Sequence, residues 1–259
     1  LDEAQMLPMD YLKPCIAMLQ ELVDSYSASI VLCTATQPAL DSFFSKNELI
    51  KELCPRMEEQ FSFFKRVNYQ NLGKIRQNHL SKKLKKENNA LCIVNTKKSA
   101  QVIYKELHGE GIYHLSTSMY PKHRKRVLKT IRERLKNSEK CIVISTSLVE
   151  AGVDLDFATV YRQIAGLDSM IQAAGRCNRE GKRELSNSIV CIFDLEEFQI
   201  AQRQRQQIDV SKGILQDYTD IADLKAITDY FTRLYHSRGT SLDKKKIMDE
   251  FQKMECNFA

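Results

Sequence analysis

Residues 141–183, CIVISTSLVEAGVDLDFATVYRQIAGLDSMIQAAGRCNREGKR, leave this chain few folds to choose from. Cys141, Ile142, Val143 and Ile144 suit a buried strand, and the small hydroxyl run Ser145-Thr146-Ser147 follows directly. Gly152 and Asp154 form a Gly-x-Asp, and a second strand-like run covers 159–164. A helix-compatible segment then carries Gln172, Gly175, Arg176 and Arg179. At helical spacing, Gln172, Arg176 and Arg179 share one side and offer three phosphate-directed side chains. Gly175 leaves room for something to approach closely. Taken singly, a surface arginine is a solvated charge and a glycine a turn. In this order after a buried strand, they point to nucleoside triphosphate chemistry.

The flanking sequence alternates strand and helix patterns, which predicts a parallel α/β sheet flanked by helices. Strands are expected at 91–94 and 112–115, and 189–193 closes the sheet. Asn95-Thr96 leads a helix with Ala100, Ile103, Tyr104 and Leu107 on one face, ended by Gly109. A second helix spans 121–136 with Val127, Leu128, Ile131 and Leu135 inward and a basic outer face. Arg124 on that face lies near Ser116 and Thr117, whose hydroxyls neighbour those of Ser145 and Thr146 at adjacent strand ends. Such groups would grip phosphates without reading bases.

Earlier in the chain, 9–26 has the stripe of an amphipathic helix (Leu12, Ile16, Leu19, Val23) and 30–33 is a short strand. Thr34-Ala35-Thr36 follows, with Thr36 suited to cap a helix from Pro38. Periodicity fades over 45–64, which reads as a connection whose phenylalanines (Phe61, Phe63, Phe64) pack rather than stack on bases. A new sheet begins over 65–69. Past the sheet, 203–207 is a polar helix-like run. Leu224, Ile227, Phe231 and Leu234 form one apolar stripe, and Ile247, Phe251 and Met254 another. Those helices are expected on the second domain or on further parts of a longer protein.

The run T-S-L-V-E-A-G-V-D followed by Q-A-A-G-R-C-N-R resembles motifs V and VI of superfamily 2 helicases. Asp2-Glu3-Ala4-Gln5 resembles their Walker B box and Thr34-Ala35-Thr36 their motif III. Within that superfamily, LDEAQMLP, LCTATQPAL, VNTKKSAQ, HLSTSMYPKHR and VEAGVDLDF are similar to the helicase-nucleases of type I CRISPR systems. The likeness runs from Leu1 to about Phe193, and Gln5 departs from it where many relatives have histidine.

The resemblance implies the end of a first RecA-like lobe at 1–46, a connection at 47–64, a second RecA-like lobe at 65–198 and a helical extension at 199–259. It also implies ATP and magnesium as cofactors, bound between the lobes. Asp2 would hold the magnesium ion and Glu3 orient the attacking water. Arg176 and Arg179 would contact the terminal phosphates, Arg179 as the arginine finger, while Gln172 positions water or phosphate. Asp154 would sense the nucleotide sugar or couple to the strand site, and Gly152 and Gly175 would belong to the nucleotide-binding residues. Gln5, Thr34 and Thr36 would relay nucleotide state. Implied partners are single-stranded DNA and a CRISPR RNA-guided surveillance complex in the cytoplasm, the unwinding feeding an upstream nuclease. Other superfamily 2 helicases of DNA or RNA, or a non-catalytic binding module, remain alternatives; stimulation by RNA or absence of turnover in the intact protein would mark them.

Composition excludes some classes. No apolar run among the 259 residues reaches membrane-spanning length and no signal-peptide pattern leads them. A net charge of +6 suits an acidic partner but is weak evidence. The eight cysteines include no C-x-x-C pair and read as reduced core residues. Gly175, Gly181 and Lys182 imitate a phosphate loop, but five residues separate the glycines and Arg183 stands where serine or threonine is needed. No other stretch reads G-x-x-x-x-G-K-[ST], and no His-Asp dipeptide occurs. The chain begins without methionine at what reads as a strand's tail, which predicts a fragment that alone hydrolyses no ATP.

Overall fold

The computed structural model describes the chain except 47–49, 150–152, 198–200 and 254–259, together with the side chain of Arg203. Contacts divide it into two compact units, one formed by Ser62–Ile221 and the other by Leu1–Phe61 with Ala222–Ala259.

The larger unit is built on six parallel strands. They are β1 (Asn68–Ile75), β2 (Asn89–Ile93), β3 (Ile112–Leu115), β4 (Cys141–Ser145), β5 (Thr159–Gln163) and β6 (Ile189–Leu195), in the spatial order β1-β6-β5-β2-β4-β3. The interior strands read as nearly unbroken apolar runs because both of their faces are buried. Ala90, Cys92, Ile142, Ile144, Tyr161, Cys191 and Phe193 pack into one cluster with Leu80, Leu84, Ala100, Ile103 and Leu107. The first two of these helical residues belong to α3 (Gln77–Lys85) and the rest to α4 (Lys97–Leu107). The alternate strand residues Leu91, Ile93, Val143, Val160 and Val190 are equally buried, so each strand feeds two cores. Two further helices, α5 (Pro121–Lys136) and α6 (Leu167–Ala174), pack along β3, β4 and β5. Thr96 caps α4 by accepting from the Ser99 amide at 3.0 Å.

The sheet departs from expectation at its edges. β6 lies between β1 and β5 instead of closing the sheet, and β1 runs to Ile75, beyond the stretch expected. Helix α3 was not foreseen, since only Leu80 and Leu84 punctuate its lysines. The helix α7 (Gln202–Asp217) belongs to this unit, burying Ile208 and Ile214 and pairing Lys212 with Asp194 of β6 at 3.2 Å.

The smaller unit joins both ends of the chain. Its helices are α1 (Leu12–Tyr26), α8 (Leu224–Arg238) and α9 (Ile247–Gln252). The expected strands at 1–3 and 30–33 shrink to a single parallel bridge between Asp2 and Cys33. The stretch 199–259, expected as one extension, is divided: past Ile221 it packs on the N-terminal segment. Tyr235 donates to the Pro38 carbonyl at 2.6 Å and meets the Phe43 ring edge-on, while the Lys244 amide donates to the Asp10 carbonyl at 2.9 Å. The expected helix from Pro38 is only a 3-10 turn at Asp41–Phe43, so Thr36 caps nothing. The short α2 (Met57–Phe63) occupies the connection, and Phe63 and Phe64 are 81% and 56% exposed, so these two do not pack as expected.

Candidate functional site

In the smaller unit the carboxylate pair sits where the Asp2–Cys33 bridge ends. Glu3 turns the chain with φ 56°, ψ 53°, and its amide donates to Asp2 Oδ1 at 3.1 Å. Beyond that turn the buried Gln5 amide links two motifs: its Nε2 donates to Glu3 Oε2, and its Oε1 accepts from Thr34 Oγ1. Thr34 Oγ1 also takes the Thr36 amide at 3.0 Å. An ionised carboxylate only accepts and the threonine hydroxyl has a proton to give, so the orientation of the Gln5 amide is fixed by its partners. Thr36 points inward. Its hydroxyl is buried and has no hydrogen-bond partner among the described residues.

Asp2 and Glu3 are solvent-facing, which fits a magnesium ion held by one or two carboxylates and otherwise by water and phosphates. No cluster of three or more His, Cys, Asp or Glu able to hold a metal occurs among the described residues, so a protein-only cage is not available.

In the larger unit the arginines are not on a helix. α6 ends at Ala174, and Gly175 closes it with φ −61°; a Cβ there would meet the Gln172 carbonyl at 3.2 Å, so its closeness is to its own helix. Gln172 stays on α6, half-buried. Arg176 is buried, with Nε donating to the Val149 carbonyl at 2.9 Å, which fastens the segment after β4. The expectation of three side chains on one helical side is therefore corrected: the chain leaves the helix before either arginine.

Arg179 lies on the next turn, exposed, with Nε on Asp154 Oδ1 at 2.6 Å. Its backbone is anchored from below. The Arg179 amide donates to Asp156 Oδ1 at 2.7 Å, and Arg183 Nη1 donates to Asp156 Oδ2 at 2.7 Å. Asn178, in left-handed conformation (φ 47°), accepts from the Arg183 amide at 2.9 Å and donates to the Arg183 carbonyl at 2.8 Å. Arg66 Nη1 reaches the Arg179 carbonyl at 2.5 Å. Asp156, Asn178, Arg183 and Arg66 were missed in the sequence. The signal for Asp156 was there: two aspartates two residues apart in an extended segment share a side. Gly152 lies outside the described residues.

The hydroxyl cluster changes character. Ser145 is fully buried and its Oγ donates to the Leu115 and Thr146 carbonyls at 3.1 and 2.9 Å, so it ties β4 to β3 and is not open to phosphates. Ser116 and Thr146 are buried too, which leaves Thr117 exposed and Arg124 half-exposed. Cys92, Cys141, Cys177 and Cys191 are buried free thiols, with Cys177 pushed up to about 12 by burial; Cys33, expected inside, is exposed.

Residues 86–182 match the family profile described as CRISPR-associated nuclease/helicase Cas3, C-terminal. The curated CRISPR-associated nuclease/helicase Cas3 of Methanothermobacter thermautotrophicus is 26% identical over 242 residues, covering 84% of this chain and 28% of that protein. The protein so described from Haloferax volcanii is 51% identical over 63 residues, 24% of this chain and 7% of its own length. Among solved structures, T. fusca Cas3-ATP superposes with a TM-score of 0.66 at 15% identity, over 97% of this chain and 36% of that one. A chain from a CRISPR RNA-guided surveillance complex, pre-nicking, gives 0.51 at 16% identity, over 73% and 28%. The chain thus spans about a third or less of the length of these relatives. No described helix is long and apolar enough to cross a membrane. A parallel RecA-like sheet and these sequence matches make the chain similar to the CRISPR-associated nuclease/helicase Cas3 proteins, the profile match covering residues 86–182.

Proposed function

We propose that this chain contributes the water-orienting carboxylate and the arginine finger of an ATP-driven translocase that moves on single-stranded DNA in CRISPR interference. The observation that carries the reading is the hydrogen-bonded line Glu3–Gln5–Thr34, which joins the Asp-Glu pair to the threonine motif through one buried amide. Magnesium, when bound, neutralises phosphate charge; Asp2 would hold it. Glu3, steadied by Gln5, orients the attacking water by accepting its proton. Arg179 leaves Asp154 and stabilises charge on the transferring phosphoryl group. Gln172 contributes a polar contact to phosphate or water, and Arg176 supports the turn through Val149. Thr117 and Arg124 grip the strand by its backbone, a mode indifferent to base sequence.

The likeness to T. fusca Cas3-ATP supports a nucleotide as ligand, and the likeness to the surveillance-complex chain supports recruitment by such a complex. The 259 residues contain no G-x-x-x-x-G-K-[ST] and alone turn over no ATP. The test is steady-state hydrolysis by the gene product at its full natural length, with and without single-stranded DNA. Arg179→Ala should abolish stimulated hydrolysis and leave DNA affinity within about twofold, since the finger acts in the transition state. Equal loss of both, or stimulation by RNA and not by DNA, would overturn the reading.

A further inference from the structure

Arg179 has no helix to hold it, yet a finger displaced by about 1 Å can cost roughly a hundredfold in rate. Something else must fix the turn. We infer that Asp156 is the positioning residue of the Arg179 turn, with Arg183 as its clamp. This rests on the finger role assigned to Arg179 above.

The geometry singles out that carboxylate. One oxygen takes the Arg179 amide and the other takes Arg183 Nη1, each at 2.7 Å, so a single group ties the first residue of the turn to its last. Around it the backbone is held on both sides. The Phe157 amide donates to the Arg176 carbonyl and the Asn178 amide to the Phe157 carbonyl, both at 2.9 Å, as the Phe157–Cys177 bridge. Asn178 closes the turn onto Arg183 at 2.9 and 2.8 Å and reaches the Arg66 carbonyl at 3.1 Å. Asp156 and Arg183 are largely covered, with side chains 18% and 29% exposed, whereas the Arg179 guanidinium above them is open. The division of labour follows from chemistry: a mobile guanidinium must be free to meet phosphate, so its main chain carries the restraint.

The test uses the full-length gene product with saturating single-stranded DNA. Asp156→Ala removes both contacts and should lower kcat by roughly a hundredfold, with KM for ATP and DNA affinity within about twofold. Asp156→Asn keeps an oxygen for the Arg179 amide but offers Arg183 nothing to donate to, and should fall in between. Arg183→Met should match Asp156→Asn and add nothing to it, while Arg183→Lys should restore most activity. An unchanged kcat in Asp156→Ala overturns the inference. So does a parallel fall of kcat, DNA affinity and melting temperature, which marks a merely structural role. Loss in Asp156→Ala with full activity in Arg179→Ala would instead sink the finger assignment itself.

Discussion

Arg179 Nε lies 2.6 Å from Asp154 Oδ1, in a pair whose side chains are 43% and 80% exposed. A pair this open contributes at most about 1 kcal/mol, so it is a resting contact that a triphosphate can displace. Asp154→Asn should therefore leave the melting temperature nearly unchanged. It should lower KM for ATP by no more than about fivefold, the equivalent of that energy. A rise in KM would show Asp154 working directly on the nucleotide, as the resemblance to superfamily 2 helicases implied.

Gln5 makes a second prediction. Its amide gives a proton to Glu3 and takes one from Thr34, and a neutral imidazole can do both at once through its two nitrogens. Gln5→His should keep stimulated hydrolysis within about threefold. Gln5→Leu has neither function; hydrogen bonds to charged groups contribute about 1.5–3 kcal/mol, so kcat should fall roughly tenfold or more. Assays of both variants across DNA concentrations decide it: equal activities would mean that Gln5 only fills space.

His114 on β3 makes a third, in solution rather than in turnover. The ring is half-buried beside Tyr104, its Nε2 has no partner among the described residues, and burial lowers its pKa from 6.5. The unfolded chain takes up that proton more readily than the folded one. Stability is therefore undiminished above about pH 6.5 and declines as pH falls below it, until the folded histidine protonates as well. Melting temperatures between pH 7.5 and 5 should fall less steeply in His114→Phe than in the wild type. Parallel curves would count against the assignment.

The readability of this chain tracked burial. Strands covered on both faces announce themselves as apolar runs, so β4 appeared directly, and the strong 3.6-residue stripe of α5 gave Pro121–Lys136 without error. The edge strand β1, with its NYQNLGKI sequence, alternates too little to show its length. At the candidate site, the sequence named candidate residues but not their setting. Spacing put Arg176 and Arg179 on α6, although the glycine of Q-A-A-G-R-C-N-R is also a helix-end signal and α6 stops just before it, at Ala174. The path after the stop is held by tertiary contacts, the Phe157–Cys177 bridge and Asp156. Ser145 misled for a related reason: a hydroxyl at a strand end can serve a ligand or a neighbouring carbonyl, and only the register with Leu115 decides.

The smaller unit draws its core from both ends of the polypeptide: Leu12, Ile16 and Leu40 from one, Tyr230, Phe231 and Leu234 from the other. In sequence, the sheet domain lies between the two stretches that form the smaller unit. During synthesis the helices past Ala222 emerge after the sheet, so their packing against residues 1–61 forms only once the sheet has been made. A stop codon just past Ile221 would spare the sheet and remove the aromatic and aliphatic side chains of Tyr230, Phe231 and Leu234 that share a unit with residues 1–61.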